Sequence, residues 1–128
     1  MRQQRERRQL PRTPLPWRIP ARIRDVKEVR ILDLSAGGTR LEHLGLLRPG
    51  ALCDLELPTI LGGLLLPTHV AWCAVIGRRR GFDGDRHLLS HTGLRFSLLT
   101  PTQHASLAAA LERVASRRLA IDRRQGPA

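Results

Sequence analysis

The sequence predicts a mainly β domain, a small barrel or sandwich of about six short strands followed by one helix. Three observations predict it. Apolar and polar residues alternate with a period of two through several short stretches before residue 97. Turns rich in Gly and Pro separate those stretches at regular intervals. After Thr100 the period changes to that of an amphipathic helix.

The elements follow in order. Residues 1–16 hold Arg2, Arg5, Arg7, Arg8 and Arg12, then Pro11, Pro14 and Pro16. No helix runs through that proline spacing, so the segment reads as a flexible basic arm. In 17–24, Trp17, Ile19, Ala21 and Ile23 alternate with Arg18, Pro20, Arg22 and Arg24, a half-buried strand with Pro20 at an edge or bulge. Residues 26–34 form a second strand, Ser35-Ala36-Gly37-Gly38 a turn, and 39–44 a third strand with Arg40, Glu42 and His43 toward solvent. After Pro49-Gly50, the stretch 51–58 sets Leu52, Asp54 and Glu56 against Cys53, Leu55 and Leu57. Gly62-Gly63 reverses the chain into a long strand over 64–76, with Pro67 as a bulge. A polar loop over 78–86 leads to the returning strand 87–96.

Thr100-Pro101-Thr102-Gln103 then carries a capping-box pattern with Pro at the first helical position. Leu107, Leu111, Val114, Ala115 and Leu119 recur at helical spacing, predicting a helix that ends near Ala120. Residues 17–120 are thus expected as the folded domain and 121–128 as a disordered tail.

The chain has 128 residues, a length that suits one domain. Its 22 basic and 11 acidic residues give a net charge of +11, and every basic residue except Lys27 is arginine. That excess points to an anionic partner without saying which. Arginine offers a planar fork for guanine edges and phosphate oxygens, where lysine offers a point charge. No apolar run approaches the roughly 20 residues of a membrane-spanning helix, so no membrane insertion is expected. No apolar signal region of roughly 7–15 residues follows the basic N-terminus. A cytoplasmic protein with reduced thiols is expected.

Enzyme chemistry finds no support in the residues. Ser35 is not in a G-x-S-x-G elbow, and Cys53 and Cys73 fall inside apolar strands as core filler. No catalytic residue and no cofactor are expected. His69/Cys73 and His87/His91 have helical metal spacing but lie on predicted strands. There, residues four apart stand more than about 10 Å apart, too far for one zinc ion, so no metal site is expected. Phosphate-loop motifs, interleaved aromatics for RNA and a helix-turn-helix for DNA are likewise missing from the sequence.

Two short constellations remain. One is Arg8-Gln9-Leu10-Pro11-Arg12, an R-x-x-x-R preceded by Arg7. The other is Asp33-Leu34-Ser35-Ala36-Gly37-Gly38, a D-x-S-x-x-G at a strand-turn-strand junction. The turn alone also reads as a local motif in which Asp33 and Ser35 satisfy nearby backbone groups. In this order and about 20 residues apart, the two resemble the PilZ domain family. PGALCDLELP, HVAWC and TGLRFSLL look like further strands of that family, so the resemblance runs from roughly Arg7 to Leu119.

The resemblance implies a six-stranded antiparallel β-barrel with a C-terminal helix and a receptor for bacterial cyclic di-GMP. The chemistry of the residues suits that ligand. An arginine fork matches guanine O6 and N7, a pairing worth roughly 1–3 kcal/mol in DNA readout. Guanine N–H donors suit a carboxylate and a hydroxyl. By position, the resemblance gives Arg8 and Arg12 to guanine and phosphate, and Arg7 to a second stacked ligand. Asp33 and Ser35 would read a guanine, while Gly37 and Gly38 admit ligand close to the backbone. Trp72 would stack on a guanine or pack against the terminal helix. Arg40 is expected to face solvent.

The implied mechanism is ordering of the arm over the barrel to create a surface for a partner protein in trans, in motility or biofilm control. DNA and RNA are not expected partners. The alternatives are a protein-interaction module of the same fold that binds no nucleotide, and a charge-driven nucleic-acid binder.

Overall fold

The computed structural model describes residues 13–23, 27–81 and 83–125, with side chains over 19–23, 28–81 and 83–116. The expected antiparallel strands and C-terminal helix are present. They are β1 (Thr13–Ile23), β2 (Lys27–Leu34), β3 (Gly38–Leu44), β4 (Leu52–Glu56), β5 (Leu65–Arg80), β6 (Arg86–Phe96) and α1 (Pro101–Gln125). A single 3-10 turn, Thr59–Leu61, lies between β4 and β5.

The strands pair in the order β1-β2-β3-β6-β5-β4. β4 returns to β1 through Arg22↔Glu56 and Ile23↔Leu55, which closes the sheet on itself. Inward residues of alternate positions fill the interior, among them Ile31, Leu41, Leu55, Leu66 and Leu94. The alternation read from 51–58 holds: Leu55 and Leu57 are buried while Leu52 and Glu56 are exposed. α1 packs against β1 and the 3-10 turn, burying Leu107, Ala110 and Val114. Its capping box forms as expected. The Gln103 N–H donates to Thr100 Oγ1 (3.1 Å), and the Thr100 N–H donates to Gln103 Oε1 (2.9 Å).

Several expectations are corrected. β1 starts at Thr13, so the expected arm boundary at residue 16 falls inside a strand. Prolines are tolerated there because β1 has only β2 beside it before Arg22, and a register shift between Pro14 and Ile19 absorbs them. Pro67 is not a bulge. It pairs in register with Asp54, using only its carbonyl toward Ser97 N–H (2.8 Å). The register shifts of β5 fall instead between Val70 and Trp72 and between Val75 and Gly77. The 78–86 loop is shorter than expected, since Arg78, Arg79 and Arg80 pair with Leu88, His87 and Arg86. α1 continues to Gln125, into the expected tail, because no helix breaker precedes Gly126-Pro127. On its inner face Ala110 is buried, and Ala115 is exposed.

Glu42 and His43 are buried rather than solvent-facing. Glu42 Oε2 lies 3.1 Å from His91 Nε2 across the β3/β6 ladder. His43 Nδ1 donates to the Leu44 carbonyl (3.1 Å), and its Nε2 meets Thr92 Oγ1 at 2.6 Å. Because a carbonyl only accepts, the neutral ring carries its proton on Nδ1 and accepts from the threonine hydroxyl.

Candidate functional site

The D-x-S-x-x-G segment leaves β2 and re-enters at β3. Ser35 Oγ donates to the Gly38 carbonyl and accepts the N–H groups of Gly37 and Gly38, each at 3.2 Å. The Ser35 N–H also donates to the Gly38 carbonyl (2.9 Å). A hydroxyl offers one donor and two acceptor lone pairs, so Ser35 is fully engaged in holding the turn. Gly37 and Gly38 are not among the positive-φ glycines, which are Gly45, Gly50, Gly62, Gly63 and Gly84. Gly38 is required for another reason: a Cβ there would collide with the Leu94 carbonyl oxygen of β6. The missing side chain lets two strands close up, where the sequence reading gave the space to ligand. The Gly37 carbonyl accepts the Phe96 N–H (3.0 Å), tying the turn to β6.

Asp33 is buried but still reaches the outer face. Its Oδ1 accepts the Arg40 backbone N–H (3.1 Å), and its Oδ2 faces Arg40 Nε at 3.1 Å. The Asp33 side chain is 7% exposed and that of Arg40 46% exposed. Arg40 is therefore at the surface as expected, and it also fixes the carboxylate. The Thr39 hydroxyl donates to the Asp33 carbonyl (2.6 Å), which locks the backbone of the same residue.

The register extends this pair across the sheet. Asp33 pairs with Arg40, Arg40 with Gly93, and Gly93 with Trp72. Directly paired residues share a face, so these four form one row over β2, β3, β6 and β5. A Cβ on Gly93 would collide with the Trp72 indole, which shows the ring lying over the glycine. The next row on that face carries Gly38, Arg95 and His69. Arg95 is exposed, and His69 is half-buried. The outer face thus gathers a fixed carboxylate, two guanidinium groups, an indole and an imidazole around one turn. Arg95 was not singled out in the sequence, and His69 was weighed there only as a metal ligand beside Cys73. Arg95 follows Gly93 by two, which is the signal for a shared face, but only the pairing register shows that Gly38 lies beside it.

Arg7, Arg8 and Arg12 lie outside the described residues. The strand that follows them is described. Thr13 pairs with Leu34 and Pro14 with Asp33, so β1 begins alongside the D-x-S-x-x-G turn.

The model of the PilZ domain family matches residues 3–113. The chain belongs to the PilZ family. No curated protein matches the sequence. Among solved structures, this PilZ chain is similar to the PilZ domain with c-di-GMP of YcgR from Escherichia coli. That likeness has a TM-score of 0.64 and 16% identity, over 94% of this chain and 99% of the other. It is also similar to the K. pneumonia MrkH–c-di-GMP complex, with a TM-score of 0.64 and 17% identity over 86% of this chain and 53% of that one. A third is YcgR in complex with c-di-GMP from Escherichia coli, with a TM-score of 0.59 and 19% identity over 88% of this chain and 49% of the other. The chain spans about half the length of the latter two, and likenesses at these identities establish the fold.

Among the described residues, no three His, Cys, Asp or Glu side chains gather to hold a metal ion. No described helix is long and apolar enough to cross a membrane.

Proposed function

We infer that this PilZ domain is a receptor for cyclic di-GMP, which it holds on the outer face around Asp33. In this reading Asp33 accepts a guanine N–H, Arg40 and Arg95 face the phosphates, and Trp72 offers a stacking surface. Ser35 and Gly38 hold the turn, and Gly37 ties it to β6. Arg8 and Arg12 close over the ligand from the N-terminal side, with Arg7 available to a second stacked ligand molecule.

One observation carries the reading. The start of β1 is paired beside Asp33 and Leu34, and Thr13, its first residue, directly follows Arg12 in the chain. Arg8 lies within about 18 Å of Thr13 even at full extension of the intervening chain. That connection supports a reading in which the two sequence motifs, separated along the chain, act on one ligand. The PilZ structures with c-di-GMP named above support the choice of ligand.

The action follows from ordering. Each residue fixed costs about 1–2 kcal/mol, so a ligand that gathers the arm must make several charge-assisted bonds to it. The closed complex then presents a surface that the free chain lacks, for a partner protein to read. This is a binding switch with no chemical step.

A calorimetric titration with cyclic di-GMP, GTP and duplex DNA at low and high salt tests it. The expected result is saturable, cyclic di-GMP-selective binding that is lost in Arg8→Ala and Arg12→Ala. Affinity for DNA that falls steeply with salt, with no preference for cyclic di-GMP, would replace this reading with charge-driven nucleic-acid binding. Unchanged affinity in both arginine variants would remove the arm from the mechanism.

A further inference from the structure

The second half of β5 is an open edge. β4 pairs with β5 only from Leu65 to His69, and beyond that β6 alone flanks the strand through Arg80. Loop residues Gly50 and Ala51 complete Val70 through backbone bonds of 2.7 and 2.9 Å. From Ala71 to Arg80 the side of the strand turned away from β6 has no strand partner among the described residues. An edge of that length is a template for another extended chain.

The side chains on this edge are unusual in two ways. The register shift between Val75 and Gly77 inserts Ile76 as an extra residue. Val75 and Ile76 are both 50% exposed, so this stretch presents two adjacent aliphatic side chains to solvent. Next to this apolar step stand Arg78, Arg79, Arg80 and, across the ribbon, Arg86, all exposed. None of them has an acidic partner among the described residues. Of the acids in the turn, Asp83 is tied to His87 through Nε2 at 3.0 Å from Oδ1 and 2.9 Å from Oδ2.

We propose that the open edge of β5 from Ala71 to Arg80 receives an extended, acidic segment of a partner protein by strand addition. Backbone hydrogen bonds along the edge supply affinity. Apolar side chains of the guest cover Val75 and Ile76, and its carboxylates meet the arginines. A nucleic acid would use the arginines but has no use for the adjacent aliphatic pair or the free backbone groups. A second copy would bring together two chains that each carry a net charge of +11. Trp72, at the start of this edge, belongs to the proposed ligand face, but Val75, Ile76 and the arginines lie beyond it, and the occupant needs no nucleotide, so the proposal stands apart from the ligand reading.

The test uses the full chain and a synthetic peptide of alternating Glu and Val, as long as the open edge. Its controls are the same peptide N-methylated at every second residue, an all-Glu peptide and a duplex DNA. The expected result is binding of the alternating peptide, with amide shifts confined to the β5 edge in NMR spectra. Reversing the charges in R78E/R79E/R80E should weaken it about ten-fold or more. N-methylation should weaken it similarly. Ile76→Ser, a milder change on the exposed side, should weaken it while the thermal midpoint stays put. Equal binding of the N-methylated or all-Glu peptide overturns strand addition. Tighter binding of DNA at the same arginines reassigns the ribbon to nucleic acid. Dimerisation removed by Ile76→Ser reassigns the edge to self-association, and failure of every peptide to bind also overturns the proposal.

Discussion

Replacing Gly38 by alanine tests whether this glycine serves the fold before it serves any ligand. The added methyl would collide with the Leu94 carbonyl oxygen and crowd the Arg95 backbone. Both are backbone atoms of a central strand, so no side chain can swing aside. Relief requires β3 and β6 to separate, which strains the Gly38↔Arg95 pair and the Phe96-to-Gly37 bond. Overpacking of this kind costs about 1–3 kcal/mol. A weakened backbone bond adds about 1 kcal/mol. Alanine returns about 0.4–1 kcal/mol by restricting the unfolded chain. The net expectation is a loss of about 1–3.5 kcal/mol, with a middle value near 2. For a domain of this size that lowers the thermal midpoint by roughly 10 °C. Urea unfolding followed by tryptophan fluorescence measures it directly. A Gly38→Ala protein whose midpoint matches the wild type would refute the packing role. In that case any loss of ligand affinity would belong to a direct contact.

Three further outcomes follow from the same face and its surroundings. Gly93→Ala meets a movable side chain, so it should displace the Trp72 ring, shift its emission and cost less stability than Gly38→Ala, as paired spectra and melts would show. Arg40→Ala removes a half-exposed ion pair, so stability should change by no more than about 1 kcal/mol, while cyclic di-GMP affinity falls because the Asp33 carboxylate is no longer fixed; a titration with unchanged affinity contradicts this. The Asp83 carboxyl is held below its ordinary value, first by the His87 ring N–H and then by the Asp85 N–H. Its small contribution to the turn is therefore present at neutral pH and lost as pH falls through the lowered value. In NMR titrations His87→Ala should raise the Asp83 midpoint, and an unmoved midpoint would contradict that cause.

The strands were legible because one face of each is buried, and burial writes a period of two into the sequence. Leu55 and Leu57 against Leu52 and Glu56 is that signal at its clearest. The helix start was legible because Thr100 and Gln103 satisfy each other's backbone groups locally. Pairing partners were not legible, since register depends on residues far along the chain. That is why Glu42 and His43 were read as solvent-facing. Their partners, His91 and Thr92, come from a strand some fifty residues later, with a separation of 49 in each pair. Arg95 went unremarked, and His69 was weighed only as a metal ligand, for the same reason. The turn residues were legible as one local motif, but the bonds each of them makes were not. Saturation of the Ser35 hydroxyl and the collision at Gly38 are facts of three-dimensional packing.

The closed sheet also bears on which arginine of the arm can act first. Arg12 adjoins Thr13, whose backbone is already held by its pairing with Leu34. Fixing Arg12 against a ligand orders about one further residue, at about 1–2 kcal/mol. Bringing Arg8 to the same ligand orders the segment between them as well, at a cost of roughly 5–10 kcal/mol. One charge-assisted bond, about 1.5–3 kcal/mol, covers the first cost and falls short of the second. Arg8 can therefore engage only together with other contacts along the segment, such as that of Arg12. Arg12 can engage alone. On the proposed reading, Arg12→Ala should weaken cyclic di-GMP binding even in a chain shortened to begin at Leu10. Arg8→Ala should act only when the whole arm is present. An Arg12→Ala substitution without effect in the shortened chain, or a greater loss from Arg8→Ala than from Arg12→Ala in the full chain, would refute this order of engagement.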